Sequence, residues 1–267
     1  EELADAFPTG PFDLLKTFAQ PLPVRIIARL LGVPEEMAPD LLRWSNAMVG
    51  MYMASRTRAT EDRAVAATEA FVAFMRSYVD ERRACPADDL ITQLIAAEME
   101  GEKLSTDELI TTCILLLNAG HEATVHTIGN GVKSLLETGT PRSALAPHHV
   151  EATVEEILRF DAPLHLFTRY ALEDMDYNGL KLRKSEEVGL MLGAANRDPA
   201  RFENPDEFLS TRAPNPHVSF GAGIHFCIGA PLARLEMQVA LPLLFERLPN
   251  LKLAEAPKYR DAYHFHG

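Results

Sequence analysis

The sequence has few cysteines, few basic residues for its acidic content and no long apolar run. Its three cysteines, Cys85, Cys113 and Cys227, are odd in number and far apart, which favours reduced thiols in a cytoplasmic protein over a disulfide framework. The 26 Lys and Arg residues against 38 Asp and Glu residues give a net charge of −12. This balance argues against nucleic acid and anionic membranes as partners. No stretch of eighteen apolar residues occurs, so we expect no membrane span.

Length and local composition predict one folded unit. The 267 residues are 47% hydrophobic, enough for a substantial core. The first seven residues, Glu-Glu-Leu-Ala-Asp-Ala-Phe, lack the charged-then-apolar order of a secretion signal. Because no repeat, low-complexity tract or linker composition occurs, we expect a single domain over 1–267.

Apolar residues recur at helical spacing in the first half, and shorter apolar runs follow residue 160. We predict helices over 12–31 (interrupted at Pro21 and Pro23 and closed by Gly32), 61–83, 88–99, 109–136 and 150–160. Ser105 and Glu108 form a capping box before the long helix. We predict short strands at 167–172, 180–182 and 188–192. A turn at 177–179 connects the first two of these strands, and irregular chain follows at 204–217. The fold class is therefore mainly α with small β-sheets.

The run Phe-Gly-Ala-Gly-Ile-His-Phe-Cys-Ile-Gly at 220–229 is the most informative segment. Its glycines allow sharp turns and a close approach to a flat ligand. Ala230-Pro231 then begins a helix with Leu232, Leu235, Val239 and Leu243 on one face. A cysteine just before a helix N-terminus is favoured as thiolate, which is the form that ligates haem iron.

Cys227 also has other interpretations. A lone cysteine is commonly a small buried apolar residue. A dinucleotide fingerprint fails because residue 226 is Phe rather than glycine, and a cysteine nucleophile with His225 as base lacks a local hydrolase signature.

The segment resembles the haem-binding loop of the cytochrome P-450 family, the haem-thiolate monooxygenases. The matching positions are Phe220, Gly221, Gly223, His225, Cys227 and Gly229. The resemblance implies a partial cytochrome P-450 fold, haem b (iron protoporphyrin IX) as cofactor and Cys227 as the iron ligand.

A second segment, Ala119-Gly120-His121-Glu122-Ala123-Thr124, lies within the long predicted helix. Small residues at 119 and 120 allow a flat group to lie against the helix, and a carboxylate in an apolar stretch is costly unless it is paired or working. A helix crossing at Gly120 with Glu122 at a solvated edge is the alternative. The segment resembles the family's oxygen-binding helix, which implies catalytic roles for Glu122 and Thr124. The family's usual alcohol position is Ala123 here, so we expect substrate or water to complete proton delivery.

A third constellation pairs Glu156 with Arg159 at i, i+3 spacing, which suits a side-by-side ion pair. Such pairs commonly lie on the protein surface and contribute little to stability. Here the pair resembles the family's Glu-x-x-Arg motif, and Arg212, before a Pro- and Asn-rich stretch, resembles its third partner. The resemblance implies one buried structural network.

The resemblance also implies cofactor and substrate contacts. Arg169 and His225 are expected at the haem propionates, because a guanidinium offers a planar fork to a carboxylate. Ala119 and Gly120 are expected against the haem. An apolar organic substrate would contact residues on the oxygen helix and the strand after Pro163, namely Leu116, Ala123, Leu164, Leu166 and Phe167.

The sequence resembles only part of a complete family member, beginning after the family's first helices and ending before its last sheet. We therefore expect the chain to lack the family's N-terminal helices and sheet and its extreme C-terminus. We accordingly expect haem to be held weakly. The implied activity is insertion of one oxygen atom from dioxygen, with electrons from a ferredoxin or flavodoxin. The alternatives are a haem-poor, non-catalytic scaffold that activates a partner enzyme, and turnover driven by peroxide.

Overall fold

The computed structural model describes residues 2–53, 55–99, 104–259 and 265–267. It divides into two compact units, Glu1–Val125 and His126–Gly267, and the boundary falls inside one long helix. A single domain over 1–267 stays a prediction. None of the helices in the described ranges combines the length and apolar content that crossing a membrane requires.

The first unit is helical. Its helices are α1 (Glu2–Asp5), α2 (Pro21–Leu31), α3 (Ala38–Val49), α4 (Arg58–Ala84), α5 (Leu90–Met99) and the first part of α6 (Thr106–Glu137). The core lies where α2, α3, α4 and α6 contribute fully buried apolar side chains, among them Leu31, Leu41, Phe71, Met75 and Leu117. The capping box predicted before α6 is present, since Glu108 accepts from the Ser105 backbone N–H and hydroxyl at 2.8 Å each.

The two prolines act differently from the prediction. Pro21 and Pro23 do not interrupt a helix over 12–31; α2 begins at Pro21, because proline lacks only an N–H that the first turn leaves unpaired. Gly32 ends this helix with φ of +85°. The Gly32 carbonyl accepts from the Tyr78 hydroxyl and from Arg82 Nη2, and a Cβ at residue 32 would collide with Asp89. Helix α3, which the sequence patterns did not single out, packs Trp44 against Phe71.

The second unit combines helices with two small sheets. After the last part of α6 it contains α7 (Val150–Phe160), β1 (Leu166–Tyr170), β2 (Met175–Tyr177), β3 (Leu180–Leu182), β4 (Glu187–Met191), α8 (Leu192–Ala195) and α9 (Ala230–Arg247). The mainly α fold class with small sheets is confirmed.

Strand pairing differs from the sequence prediction in one respect. The turn at 177–179 joins β2 to β3, whereas β1 pairs antiparallel with β4, so that Leu166 faces Met191 and Arg169 faces Val188. The prediction missed β2, whose three residues Met-Asp-Tyr are all exposed and form no apolar run.

The predicted apolar face of α9 is only partly correct. Leu235 and Val239 are exposed, and the buried apolar positions include Met237, Leu241 and Leu244. This helix carries apolar residues on all sides, so their spacing could not indicate which face is covered.

Candidate functional site

The cysteine loop in the second unit is built by two glycines and a tight turn. Gly221 and Gly223 adopt φ of +70° and +65°. This is a left-handed backbone conformation that residues with a side chain rarely adopt. The Cys227 N–H donates to the Phe220 carbonyl at 2.9 Å, and the Ala230 N–H donates to the Cys227 carbonyl at 3.2 Å. The loop therefore closes on itself and delivers Cys227 three residues before the first residue of α9.

Apolar side chains flank this cysteine and are open to solvent. Ile224 and Ile228 are 98% and 86% exposed, and Phe226 is about half exposed at 52%. A group of large, exposed apolar side chains is typical of a surface that binds a ligand or another molecule. The loop fits a flat apolar group with a metal that accepts a thiolate.

The three cysteines occupy different environments. Cys227 and Cys85 are exposed, whereas Cys113 is buried in α6. Burial raises the pKa of the Cys113 thiol to about 12. Of the two exposed thiols, Cys227 alone stands on a glycine-rich loop.

A buried ionic network lies in the same unit as the loop. Glu156 and Arg159 are 0% and 1% exposed, and Arg159 donates to both carboxylate oxygens at 2.8 Å. Arg212 Nε lies 3.0 and 3.2 Å from the same two oxygens. The Leu209 N–H and Asn215 Nδ2 complete the shell at 2.8 and 3.2 Å. The structure thus brings together all three residues that the sequence nominated for this network.

The two guanidiniums also fix the irregular stretch between α8 and the cysteine loop. Arg159 and Arg212 donate to a set of backbone carbonyls in it, those of Asn196, Glu203, Asn204, Pro205 and Glu207. A segment without helix or strand has no regular backbone hydrogen bonds, and these side-chain donors satisfy its carbonyls instead. The segment keeps a defined path because charged side chains hold its carbonyls.

Sequence reasoning missed a second network beside the first. Glu155 accepts from Arg234 Nε at 2.6 Å and Nη2 at 2.9 Å, and lies 3.0 Å from His217 Nε2. Burial opposes ionisation of Glu155, but the bonds to His217 and Arg234 outweigh it and lower its pKa to about 2. The Arg234 guanidinium lies 4.6 Å above the Phe220 ring. The network therefore ties α7 and α9 to the start of the cysteine loop.

The available sequence signal for this network was weak. Glu155 adjoins Glu156 of the motif, and Arg234 follows Cys227 by two helical turns of residues. Separations of about sixty to eighty residues between partners leave no local pattern.

The small residues in α6 of the first unit have different surroundings. A Cβ on Gly120 would lie 2.5 Å from Ile27 Cδ1 of α2, so close helix packing accounts for this glycine. Ala119, one residue earlier, is exposed. The contact with Ile27 supports the predicted helix crossing, and a role for Gly120 against a cofactor stays a prediction.

Glu122 is buried rather than at a solvated edge, since it is 5% exposed. Its Oε1 lies 3.6 Å from His121 Nε2, and His121 Nδ1 lies 3.3 Å from the Ser45 hydroxyl. The Thr124 hydroxyl donates to the Gly120 carbonyl of its own helix at 3.1 Å. The structure therefore joins an acid to a histidine here and directs the threonine hydroxyl to the backbone.

The remaining nominated residues are open or half-buried. Arg169, exposed on β1, donates to the neighbouring Thr168 carbonyl at 2.8 Å, and His225 is exposed in the loop turn. The nominated substrate contacts are partly accessible side chains, namely Leu116 and Ala123 in the first unit and Leu164, Leu166 and Phe167 in the second.

Comparison with known proteins identifies the protein family to which this arrangement of residues belongs. The family model described as Cytochrome P450 matches residues 148–257, which include the Glu156 network and the cysteine loop. The crystal structure of Mycobacterium smegmatis CYP164A2 with econazole bound has a TM-score of 0.90 and 40% identity, over 100% of this chain and 68% of that one. This chain belongs to the cytochrome P450 family.

Similar P450s include proteins of known pathways. Polyketide biosynthesis cytochrome P450 PksS of Bacillus subtilis (strain 168) is 40% identical over 248 residues, which are 92% of this chain and 60% of that protein. The 6-deoxyerythronolide B hydroxylase of Saccharopolyspora erythraea is 41% identical over 257 residues, 95% of this chain and 63% of the hydroxylase. The P450 chain thus spans between about 60% and 65% of the curated relatives it matches.

Proposed function

We propose that this P450 chain holds haem b through the Cys227 thiolate and acts as a haem-thiolate monooxygenase on an apolar organic substrate. The observation that carries the proposal is the exposed thiol on a loop of two left-handed glycines, three residues before α9. The same unit contains the Glu156 network of α7, which is too deeply buried to be an ordinary surface ion pair.

The loop residues fit the cofactor by chemistry. The exposed side chains of Ile224, Phe226 and Ile228 would cover apolar area of the macrocycle, and Cys227 offers the sulfur ligand. Arg169 and His225 are proposed for the propionates, because both are exposed and offer N–H donors to a carboxylate. Iron held by a thiolate supplies the electron-rich centre that favours dioxygen cleavage.

The residues of α6 are proposed to manage protons. Glu122 would carry a proton at its carboxylate, and the adjacent His121 would exchange it, since its Nε2 lies 3.6 Å from Glu122 Oε1 and an imidazole nitrogen can accept or donate a proton. Ala123 contributes no hydroxyl, and the Thr124 hydroxyl already donates to Gly120. A substrate hydroxyl or a water would therefore complete the path that an alcohol provides elsewhere in the family.

The proposal extends to substrate and electron donor. The partly accessible apolar residues already named favour an apolar small molecule as substrate, and two of the similar proteins carry names that refer to polyketides or a hydroxylase. Electrons would come singly from a ferredoxin or flavodoxin, and the widely spaced cysteines fit a cytoplasmic setting.

The decisive experiment is the absorbance spectrum of the reduced, carbon-monoxide-treated protein at saturating haem. We expect the red-shifted band of a thiolate-bound iron in the natural chain and in Cys85→Ala, the matched exposed-cysteine control. Cys227→Ala should lack this band. Its persistence in Cys227→Ala, or its absence from the natural chain, would overturn the proposed iron ligand.

A further inference from the structure

A cluster of metal-ligating side chains lies in the second unit, apart from the cysteine loop in sequence. Asp161, His165 and His266 each present one ligand atom, and these atoms lie within 4.8 Å of one another. The three side chains are partly buried, and the two imidazole rings have centroids 4.4 Å apart. Two imidazoles and one carboxylate are the donor set of many zinc sites.

Neighbouring groups hold His266 and Asp161 in position. The His266 N–H donates to the Pro163 carbonyl at 2.7 Å, and its carbonyl accepts from Asn130 Nδ2 at 3.0 Å. The Tyr259 ring stacks on the His266 ring at 4.3 Å with 9° between their planes. The Tyr259 hydroxyl also donates to Asp161 Oδ2 at 2.6 Å. Ligands oriented by such outer partners are characteristic of metal sites.

The remaining ligand has a matching outer partner. The His165 ring hydrogen-bonds the Ala162 backbone, an arrangement that directs one nitrogen away and leaves the other for an ion. Burial of His165, followed by the proximity of His266, lowers its pKa.

Positive side chains near the cluster oppose an ion at this place, and they include Arg197, whose charge acts on His165. Lys133 Nζ lies 3.5 Å from Asp161 Oδ2, but also 3.1 Å from a carboxylate oxygen of Glu137. Lys133 therefore retains an acidic partner if Asp161 turns to a metal. The contacts described for Asp161 from Tyr259 and Lys133 both fall on Oδ2, so Oδ1 can serve as the ligand atom.

We propose that Asp161, His165 and His266 form a binding site for a divalent transition metal of the zinc type, with solvent as a fourth ligand. Zinc ligands lie about 2.0–2.2 Å from the ion, which places tetrahedral ligand atoms about 3.4 Å apart. The ligand atoms must therefore move closer together by up to about 1.4 Å, a distance that side-chain rotation provides. The site uses neither the thiolate nor the proposed haem.

The test is a Zn²⁺ titration of the chelator-treated 267-residue chain by calorimetry. Cys85→Ser and Cys227→Ser form the background, because exposed thiols would bind zinc themselves. We expect one ion per chain, with affinity reduced at least about tenfold in His165→Ala and in His266→Gln. His148→Ala, which removes an exposed histidine elsewhere, should bind as the background does. Lys133→Met should bind more tightly, because it removes the competing ammonium group.

Circular dichroism of each metal-free variant establishes that it is folded before titration. If His165→Ala does not fold, His266→Gln and Lys133→Met still test the site from its other sides. Unchanged affinity in His266→Gln, or several weak ions per chain in place of one, overturns the proposal. Weaker binding in Lys133→Met also contradicts it.

Discussion

Two of the buried carboxylates, Glu156 and Glu122, lie in different units and have partners of different chemistry. Glu156 binds two guanidiniums, which do not release protons at working pH. Glu122 lies beside a histidine, which exchanges protons readily. Burial marks both residues as exceptional, but only the partners separate a structural carboxylate from one suited to proton transfer. The same substitution, Glu to Gln, should therefore have opposite consequences in the two places.

The largest expected effect is on stability in Glu156→Gln. The amide leaves Arg159 and Arg212 buried without their counter-charge, and breaking such a pair costs about 3–5 kcal/mol in free energy of unfolding. Urea denaturation followed by circular dichroism measures the loss. Glu151→Gln, on an exposed position of the same helix, is the control and should change stability by less than about 0.5 kcal/mol. Equal stability of the two variants would remove the structural half of the comparison.

Gly120→Ala tests whether packing, rather than a ligand, explains the glycine in α6. The added methyl group would meet Ile27 Cδ1, and overpacking of this kind costs about 1–3 kcal/mol. Thermal unfolding of the chain without haem provides the measurement. In the double variant Gly120→Ala, Ile27→Val the colliding atom is absent, so much of the loss should be recovered. A loss that Ile27→Val leaves untouched would contradict the assigned contact.

Glu155→Gln should show a stability defect that depends on pH. The pKa of Glu155 falls from 4.5 to about 2 on folding, so its ionised form stabilises the fold above pH 4.5. That contribution is lost as pH falls from 4.5 towards 2. We expect the natural chain to exceed Glu155→Gln by about 1–2 kcal/mol at pH 7, with the gap closing at the acid end. If the difference in free energy of unfolding does not change with pH, the geometry of the hydrogen bonds to residue 155, rather than the charge of Glu155, would account for the stability.

The smallest effect on stability is expected in Glu122→Gln. An amide of the same shape fills the buried position, so unfolding should change by less than about 1 kcal/mol. Product formation by the haem-loaded chain should nevertheless fall by about 10²-fold or more, because the amide cannot carry the proton. Thr124→Val, which removes a hydroxyl already bonded to the backbone, should leave turnover within about twofold. Full turnover in Glu122→Gln would exclude it from proton delivery.

The sequence patterns correctly predicted structural features that are formed by residues close together in the chain. The helix of Glu156 and Arg159, the capping box at Ser105 and the glycine loop around Cys227 each depend on residues within one or two turns. The partner strand of β1 and the covered face of α9 depend on residues distant in the chain. The first prediction was wrong and the second only partly correct.

The same division applies within the candidate site. The roles of Arg212 and the P450 loop came from resemblance, which carries information about distant contacts that spacing does not. Glu155, His217 and Arg234 lie outside the motif and were missed, although they lie beside it in space. The haem and substrate roles stay predictions.

The unequal environments of the three cysteines provide an internal scale of reagent access. A thiol-alkylating reagent should modify exposed Cys85 in every preparation, and should spare Cys113, whose thiolate is suppressed by burial. Cys227 should react in the haem-free chain and become protected once its sulfur is bound to iron. Mass spectrometry of the three alkylated peptides would then give the fraction of molecules carrying cofactor, without reference to colour or turnover.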